Sequence, residues 1–309
     1  MAKIEEFSFE SATGKNTIYA KKYIPEGEVK GIVQIAHGIA EHIDRYDEFM
    51  TFLSDNGFVA VANDHLGHGK TAKDASEKGV FCEKNGWHTV VADMVTLHDI
   101  MAAYYPGVKY IMFGHSMGSF LTRTYIIDYP DKYDLAILSG TGHQGKALLM
   151  GGNLISNILI KSKGYRSDGQ KLNDIAFGSY LNKIENPRTP FDWLTTVDEV
   201  VDKYIADENS GFVASSGLYG DMMKGLKYIT NTANMAKMNP DKPVYFMSGK
   251  DDPVGDYGKG VETAYKCFCK AGLKDVSIKL YDGGRHEMLN ESNKKDVMND
   301  ILEWINSKI

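Results

Sequence analysis

Cysteine is scarce in this chain: Cys82, Cys267 and Cys269 are all there is among 309 residues. So sparse and odd a set excludes a disulfide framework and fits a reducing compartment, so a cytoplasmic location is expected. Cys267-Phe-Cys269 lacks a second pair to complete a metal site. It falls in a helix-like stretch where Val261, Ala264, Phe268 and Ala271 form one stripe, so buried or half-buried thiols are expected. No block of five or six lysines and arginines occurs and the net charge is -6, which leaves nucleic acid no basic surface to bind. No run of about 18 apolar residues is present, so no membrane-spanning helix is expected. The opening MAKIEEFSFE has no apolar signal core. Internal repeats and low-complexity tracts are missing too.

What is present is ordinary for a soluble globular protein, with 43% hydrophobic and 25% charged residues. The length suits one large α/β domain or a core domain carrying an insertion. The first residues alternate in polarity through Phe7-Ser-Phe-Glu, turn at Thr13-Gly-Lys-Asn16 and alternate again to Tyr23, which predicts an antiparallel hairpin at a sheet edge. Short runs that are apolar on both faces follow at 31–36, 58–62, 110–113 and 135–138, separated by helix-like segments such as 87–105. That rhythm predicts a mostly parallel sheet covered by helices on both sides. It breaks at Thr141 and returns at Pro243, with a strand at 276–280 and a final amphipathic helix. The chain is therefore expected to be an α/β core, residues 1–140 and 239–309, interrupted by a mainly helical cap at 141–238.

The candidate chemistry starts at Gly114-His-Ser-Met-Gly118, a G-x-S-x-G motif between a strand and a helix-like run. Glycines suit a sharp strand-to-helix corner where side chains would collide, and the helix N-terminus favours negative charge at the serine. A serine hydroxyl needs a base, and the base needs an orienting acid. Met247-Ser-Gly-Lys-Asp-Asp-Pro-Val254 places Asp251 and Asp252 just beyond a strand, and Tyr281-Asp-Gly-Gly-Arg-His-Glu-Met288 places His286 on a glycine-rich loop beyond the next. Ser, Asp, His in that order, each after a strand, is the α/β-hydrolase order. The Ala36-His-Gly-Ile-Ala-Glu-His42 loop follows the first long buried strand, where this fold supplies an oxyanion donor, so the N–H groups of Ile39 and Met117 are the expected oxyanion hole. Asp64, His65 and His68 form a cluster of metal-ligating types, although the resemblance of their loop, DHLGHGKT (64–71), to the structural loop of a known hydrolase family implies no metal role. No metal and no cofactor is expected.

Taken together, HGIAEHIDRY (37–46), DHLGHGKT (64–71), GHSMGS (114–119), GKDDPV (249–254) and GGRHEML (283–289) resemble the α/β-hydrolases of the monoacylglycerol lipase and lysophospholipase-like group, of the serine aminopeptidase S33 type. The resemblance spans the core on both sides of the insertion. It implies an α/β-hydrolase fold with a cap, and it selects Asp252 over Asp251 as the acid. Ala40 departs from it, since the family often has glycine there. The implied activity is ester hydrolysis through an acyl-enzyme, with Ser116 as nucleophile, His286 as base and Asp252 as orienter. The implied substrate is a carboxylic ester with one acyl chain, met in solution or by transient contact with a lipid surface. Two other functions compete: a peptidase or amidase on small substrates, which would need an acidic anchor such as Glu185, Asp192, Asp198 or Glu199, and a ligand-binding, receptor-like protein on the same fold. Oligomeric state is left open.

Overall fold

The computed structural model describes residues 2–309. Among the described residues eight strands form one sheet in the order β1-β2-β4-β3-β5-β6-β7-β8. The hairpin of β1 (Lys3–Glu10) and β2 (Thr17–Ile24) is antiparallel, and β2 joins β4 (Phe58–Asn63) antiparallel as well. From there β3 (Gly31–Ala36), β5 (Lys109–His115), β6 (Leu135–Ser139), β7 (Val244–Gly249) and β8 (Val276–Tyr281) run parallel.

The strand pattern explains the layering. Side chains alternate across a sheet, so a strand covered on both sides must be apolar throughout. Ile32, Val59, Met112, Leu138 and Phe246 face one core, under α2 (Gly86–Tyr104), α3 (Met117–Asp128) and α9 (Lys259–Lys270). Their neighbours Val33, Ala60, Phe113, Ile137 and Tyr245 face the other, under α1 (Asp47–Asp55) and α10 (Lys294–Asn306). The edge strand β8 is only partly covered.

Between β6 and β7 lie α4 (Lys146–Lys163), α5 (Gln170–Phe177), α6 (Asp198–Ala206), α7 (Ser216–Ile229) and the single turn α8 (Thr232–Met235). Helix α7 packs into the core beside α2 and α3, while α4 rides on α7. The expectation for the thiols is corrected at one position. Cys269 is exposed, whereas Cys82 and Cys267 are half-buried, because the α9 stripe of Val261, Ala264 and Phe268 turns Cys269 outward. Among the described residues no helix is long and apolar enough to cross a membrane.

Candidate active site

Strand β5 ends at His115 and α3 starts at Met117, leaving Ser116 alone at the corner with φ 53° and ψ −123°. A left-handed φ is costly for a residue with a Cβ, so such a corner must be over-determined by its surroundings. Its N–H donates to the Ser139 carbonyl at 2.9 Å, anchoring it to β6. The flanking glycines are required by space. A Cβ on Gly114 would lie 2.5 Å from the Gly118 carbonyl oxygen, and one on Gly118 would lie 2.0 Å from the Ala36 oxygen. The β3 and β5 loops therefore touch, which brings the 37–42 loop against the serine.

The same close approach joins the ends of β7 and β8. A Cβ on Gly249 would sit 1.9 Å from the Gly284 oxygen, so the two loops cross in contact. Asp252 and His286 meet as a result, with Nδ1 of His286 3.0 Å from Oδ2 of Asp252. Both are buried. A carboxylate only accepts, so Nδ1 carries the proton and Nε2 is left with a free lone pair. Asp252 is itself fixed, accepting from Ser248 Oγ at 2.9 Å and from the Val254 N–H at 2.8 Å. Its neighbour Asp251 points to solvent. Burial opposes a charged imidazole, but the Asp252 charge and hydrogen bond outweigh it and raise the His286 pKa above its ordinary value. Gly140 leaves the ring room, since a Cβ there would fall 2.9 Å from its Cε1.

Ser116 and His286 share the wall of a cavity of about 490 Å³ with Ile39, Phe177 and Trp193. A second, apolar compartment of about 120 Å³ also reaches Ser116, Ile39 and Met117, between Leu149, Met222 and Leu226. All five residues singled out from the sequence thus converge on one place. The aromatics of the insertion serve two ends. Phe177, Tyr180 and Trp193 pack on each other, and Trp193 also lies 5.1 Å from the His286 ring.

Several residues here had no reading from sequence. The Arg45 guanidinium forks onto Glu287 at 2.7 Å through both nitrogens and reaches Glu41 at 2.7 Å. Glu41 in turn accepts from the Gly38 N–H at 2.5 Å and the Tyr46 hydroxyl at 2.9 Å. Burial pushes Glu41 toward the neutral form, yet the Arg45 charge outweighs it and holds the carboxyl below its usual range. Glu41 and Arg45 stand four apart in HGIAEHIDRY, a pairing visible in the sequence; Glu287 was not, being 242 residues from Arg45. His115 is drawn into the site as well, its ring 4.7 Å from that of His286.

The rings of His37 and His68 have structural partners, whereas both ring nitrogens of His65 are buried without a hydrogen-bond partner. His37 donates from Nδ1 to the Gly38 carbonyl at 2.7 Å and accepts the His65 N–H at 2.9 Å. His68 bonds the Leu66 carbonyl, and burial lowers His37 and His68 to about 3 each. Asp64 accepts the N–H groups of Ile43 and Lys70. Among the described residues no group of three or more His, Cys, Asp or Glu is placed to hold a metal ion. Glu185, Asp192, Asp198 and Glu199 are not on the cavity wall. Asp192 instead accepts from the Arg188 and Thr189 backbone, and Asp198 pairs with Arg188.

Comparison with known proteins gives a consistent set of relatives. Residues 27–293 match the family model described as serine aminopeptidase, S33. The monoacylglycerol lipase of Mycolicibacterium smegmatis is 27% identical over 98% of both chains. The structure of a thermostable carboxyl esterase from Bacillus coagulans, in complex with glycerol, superposes with a TM-score of 0.92 at 33% identity, covering 100% of this chain and 99% of that one. A soluble variant of monoglyceride lipase from Saccharomyces cerevisiae shares the fold, with a TM-score of 0.76 at 21% identity over 99% of this chain and 96% of that one.

Proposed function

This chain belongs to the serine aminopeptidase S33 family of α/β-hydrolases, and from that premise we propose that it is a serine esterase acting on carboxylic esters with one acyl chain, monoacylglycerols foremost. The observation that carries this is the convergence of Ser116, held at a positive φ on the cavity wall, with a buried His286 whose Nδ1 is paired to Asp252.

The chemistry follows from that arrangement. Nε2 of His286 takes the Ser116 proton as Oγ bonds to the ester carbonyl carbon, and the carbonyl π electrons move to oxygen. The Ile39 and Met117 N–H groups donate to that oxyanion. Losing one such donor costs about 100- to 1000-fold in rate. As the tetrahedral adduct collapses, the alcohol leaves with the proton from His286, giving an acyl-enzyme on Ser116. Water, deprotonated by the same Nε2, then attacks the acyl carbon, and the second adduct collapses to the carboxylic acid as the bond to Ser116 Oγ breaks and His286 returns the proton to that oxygen. Asp252 keeps the tautomer and stabilises the imidazolium without taking the proton.

The two compartments favour an amphiphilic ester. The apolar one beside Met222 and Leu226 suits an acyl chain, and the polar corner of Glu41, Arg45 and Glu287 suits a small polyol leaving group. Residues 141–238 then act as a cap, supplying Phe177, Trp193 and Tyr219 to the cavity. Its helix α4 exposes Met150, Leu154 and Ile158 and carries Lys146, Lys161 and Lys163 without one acid, a surface suited to touching a lipid aggregate. A panel of p-nitrophenyl esters and monoacylglycerols of graded chain length, set against aminoacyl amides, tests the assignment. Esters should be turned over and amides should not; faster amide hydrolysis would overturn it.

A further inference from the structure

Ala40 has φ 54°, a left-handed conformation in which an L side chain is strained. The chain reverses there, immediately after Ile39, and both of the peptide groups that bracket this turn are gripped. On the core side the Gly38 carbonyl, part of the same peptide unit as the Ile39 N–H, accepts from His37 Nδ1 at 2.7 Å. On the far side the Ala40 carbonyl accepts two hydrogen bonds, one from the Tyr204 hydroxyl at 2.9 Å and one from the Gly211 N–H at 2.9 Å. Both of those donors come from the insertion, on α6 and the loop after it, more than 160 residues away in sequence.

The grip is reinforced around Tyr204. Its ring is buried and lies 4.7 Å from the Arg45 guanidinium, the group that also holds Glu41 and Glu287. Burial keeps its hydroxyl protonated as a donor. Two residues beyond Ala40, Nε2 of His42 meets Asp207 Oδ2 at 2.6 Å, a second tie to the same stretch. A loop of six residues with a strained turn would sample other conformations if held from one side only. Held from both, the Ile39 N–H has one direction.

We propose that Tyr204 is a positioning residue of the oxyanion hole, and that the 204–211 stretch of the insertion is a working part of the catalytic loop. This rests on the esterase reading above, since the loop matters to rate only if an oxyanion forms at Ile39. Swinging α6 away would release the Ala40 carbonyl.

The test compares Tyr204→Phe with Tyr165→Phe in the full chain, using a soluble short-chain ester and a boronic acid that mimics the tetrahedral adduct. Tyr165 supplies the control because its hydroxyl bonds Asp221 within the insertion, away from the loop. Tyr204→Phe should lower kcat about tenfold, the effect of one neutral hydrogen bond expressed in the transition state. Its KM should stay within about twofold, and boronate affinity should fall in proportion to kcat/KM. Tyr165→Phe should change neither kcat nor boronate affinity. An unchanged kcat in Tyr204→Phe, a loss confined to KM, or equal losses in the two variants would overturn the proposal. Absence of ester turnover in the unsubstituted protein would instead defeat the esterase reading, and this inference with it.

Discussion

Ser116 is the residue on which the rate should depend most steeply. Ser116→Ala should lower ester turnover by roughly 10⁴-fold or more with the far-ultraviolet circular dichroism unchanged, as for other hydrolases that lose their nucleophile. The two neighbouring acids make a sharper comparison. Asp252 is buried against His286 while Asp251 is solvated, so Asp252→Asn should cost about 10⁴-fold in kcat through the wrong imidazole tautomer, and Asp251→Asn should leave kcat within about twofold. A larger loss in the second variant would reverse the assignment. His286 must be unprotonated to act as a base, and its pKa is raised in the folded protein. The acid limb of kcat/KM should therefore fall with a midpoint above about 6.5, the ordinary histidine value, and Asp252→Asn should move any residual limb downward. Ser116, the two acids and His286 were legible because each sits beside glycines on a loop after an apolar strand. Glu287 and Tyr204 were not, since nothing local to either announces a partner on the 37–45 loop.

At the scale of elements, the strands were readable because burial on both faces leaves a short unbroken apolar run, as in Gly31–Ala36 and Phe58–Asn63. The helices of the insertion were not separable in advance. Their apolar residues divide between the cavity, the core and the surface, so no single stripe marks each one. Helix α4 shows this: Leu149 is buried, while Met150, Leu154 and Ile158 are exposed. If that face meets lipid, Ile158→Glu should reduce hydrolysis of dispersed long-chain monoacylglycerol several-fold. Hydrolysis of a soluble short-chain p-nitrophenyl ester should be unaffected. Equal activity of the two proteins on the dispersed substrate would remove α4 from the lipid-facing role.

For the whole molecule, buried ionisable groups set the response to acid. Burial lowers His37 and His68 to about 3, His115 to about 4 and His65 below its ordinary value, so all four are neutral in the fold and charge on unfolding. Such groups contribute stability that is lost as pH falls below about 6.5, the unfolded value. Asp64 and Asp93 act oppositely, since burial raises each to about 6 and the fold takes up their protons first. Four histidines less two aspartates leaves about two net protons, at roughly 1.4 kcal/mol per pH unit each. Unfolding free energy from urea titrations should therefore decline between about pH 6 and 4.5, and a flat profile would contradict this. Asp64, His65 and His68 were visible as a cluster of metal-ligating types, but only the packing brings the His65 and His68 rings within 4.2 and 5.1 Å of the His37 ring. The whole account turns on one atom, Ser116 Oγ. Treating the native protein with a fluorophosphonate and mapping the adduct by peptide mass spectrometry tests it most directly: a single adduct on Ser116, lost in Ser116→Ala and much slowed in His286→Ala, is the predicted result, and an unlabelled Ser116 or an adduct elsewhere would contradict it.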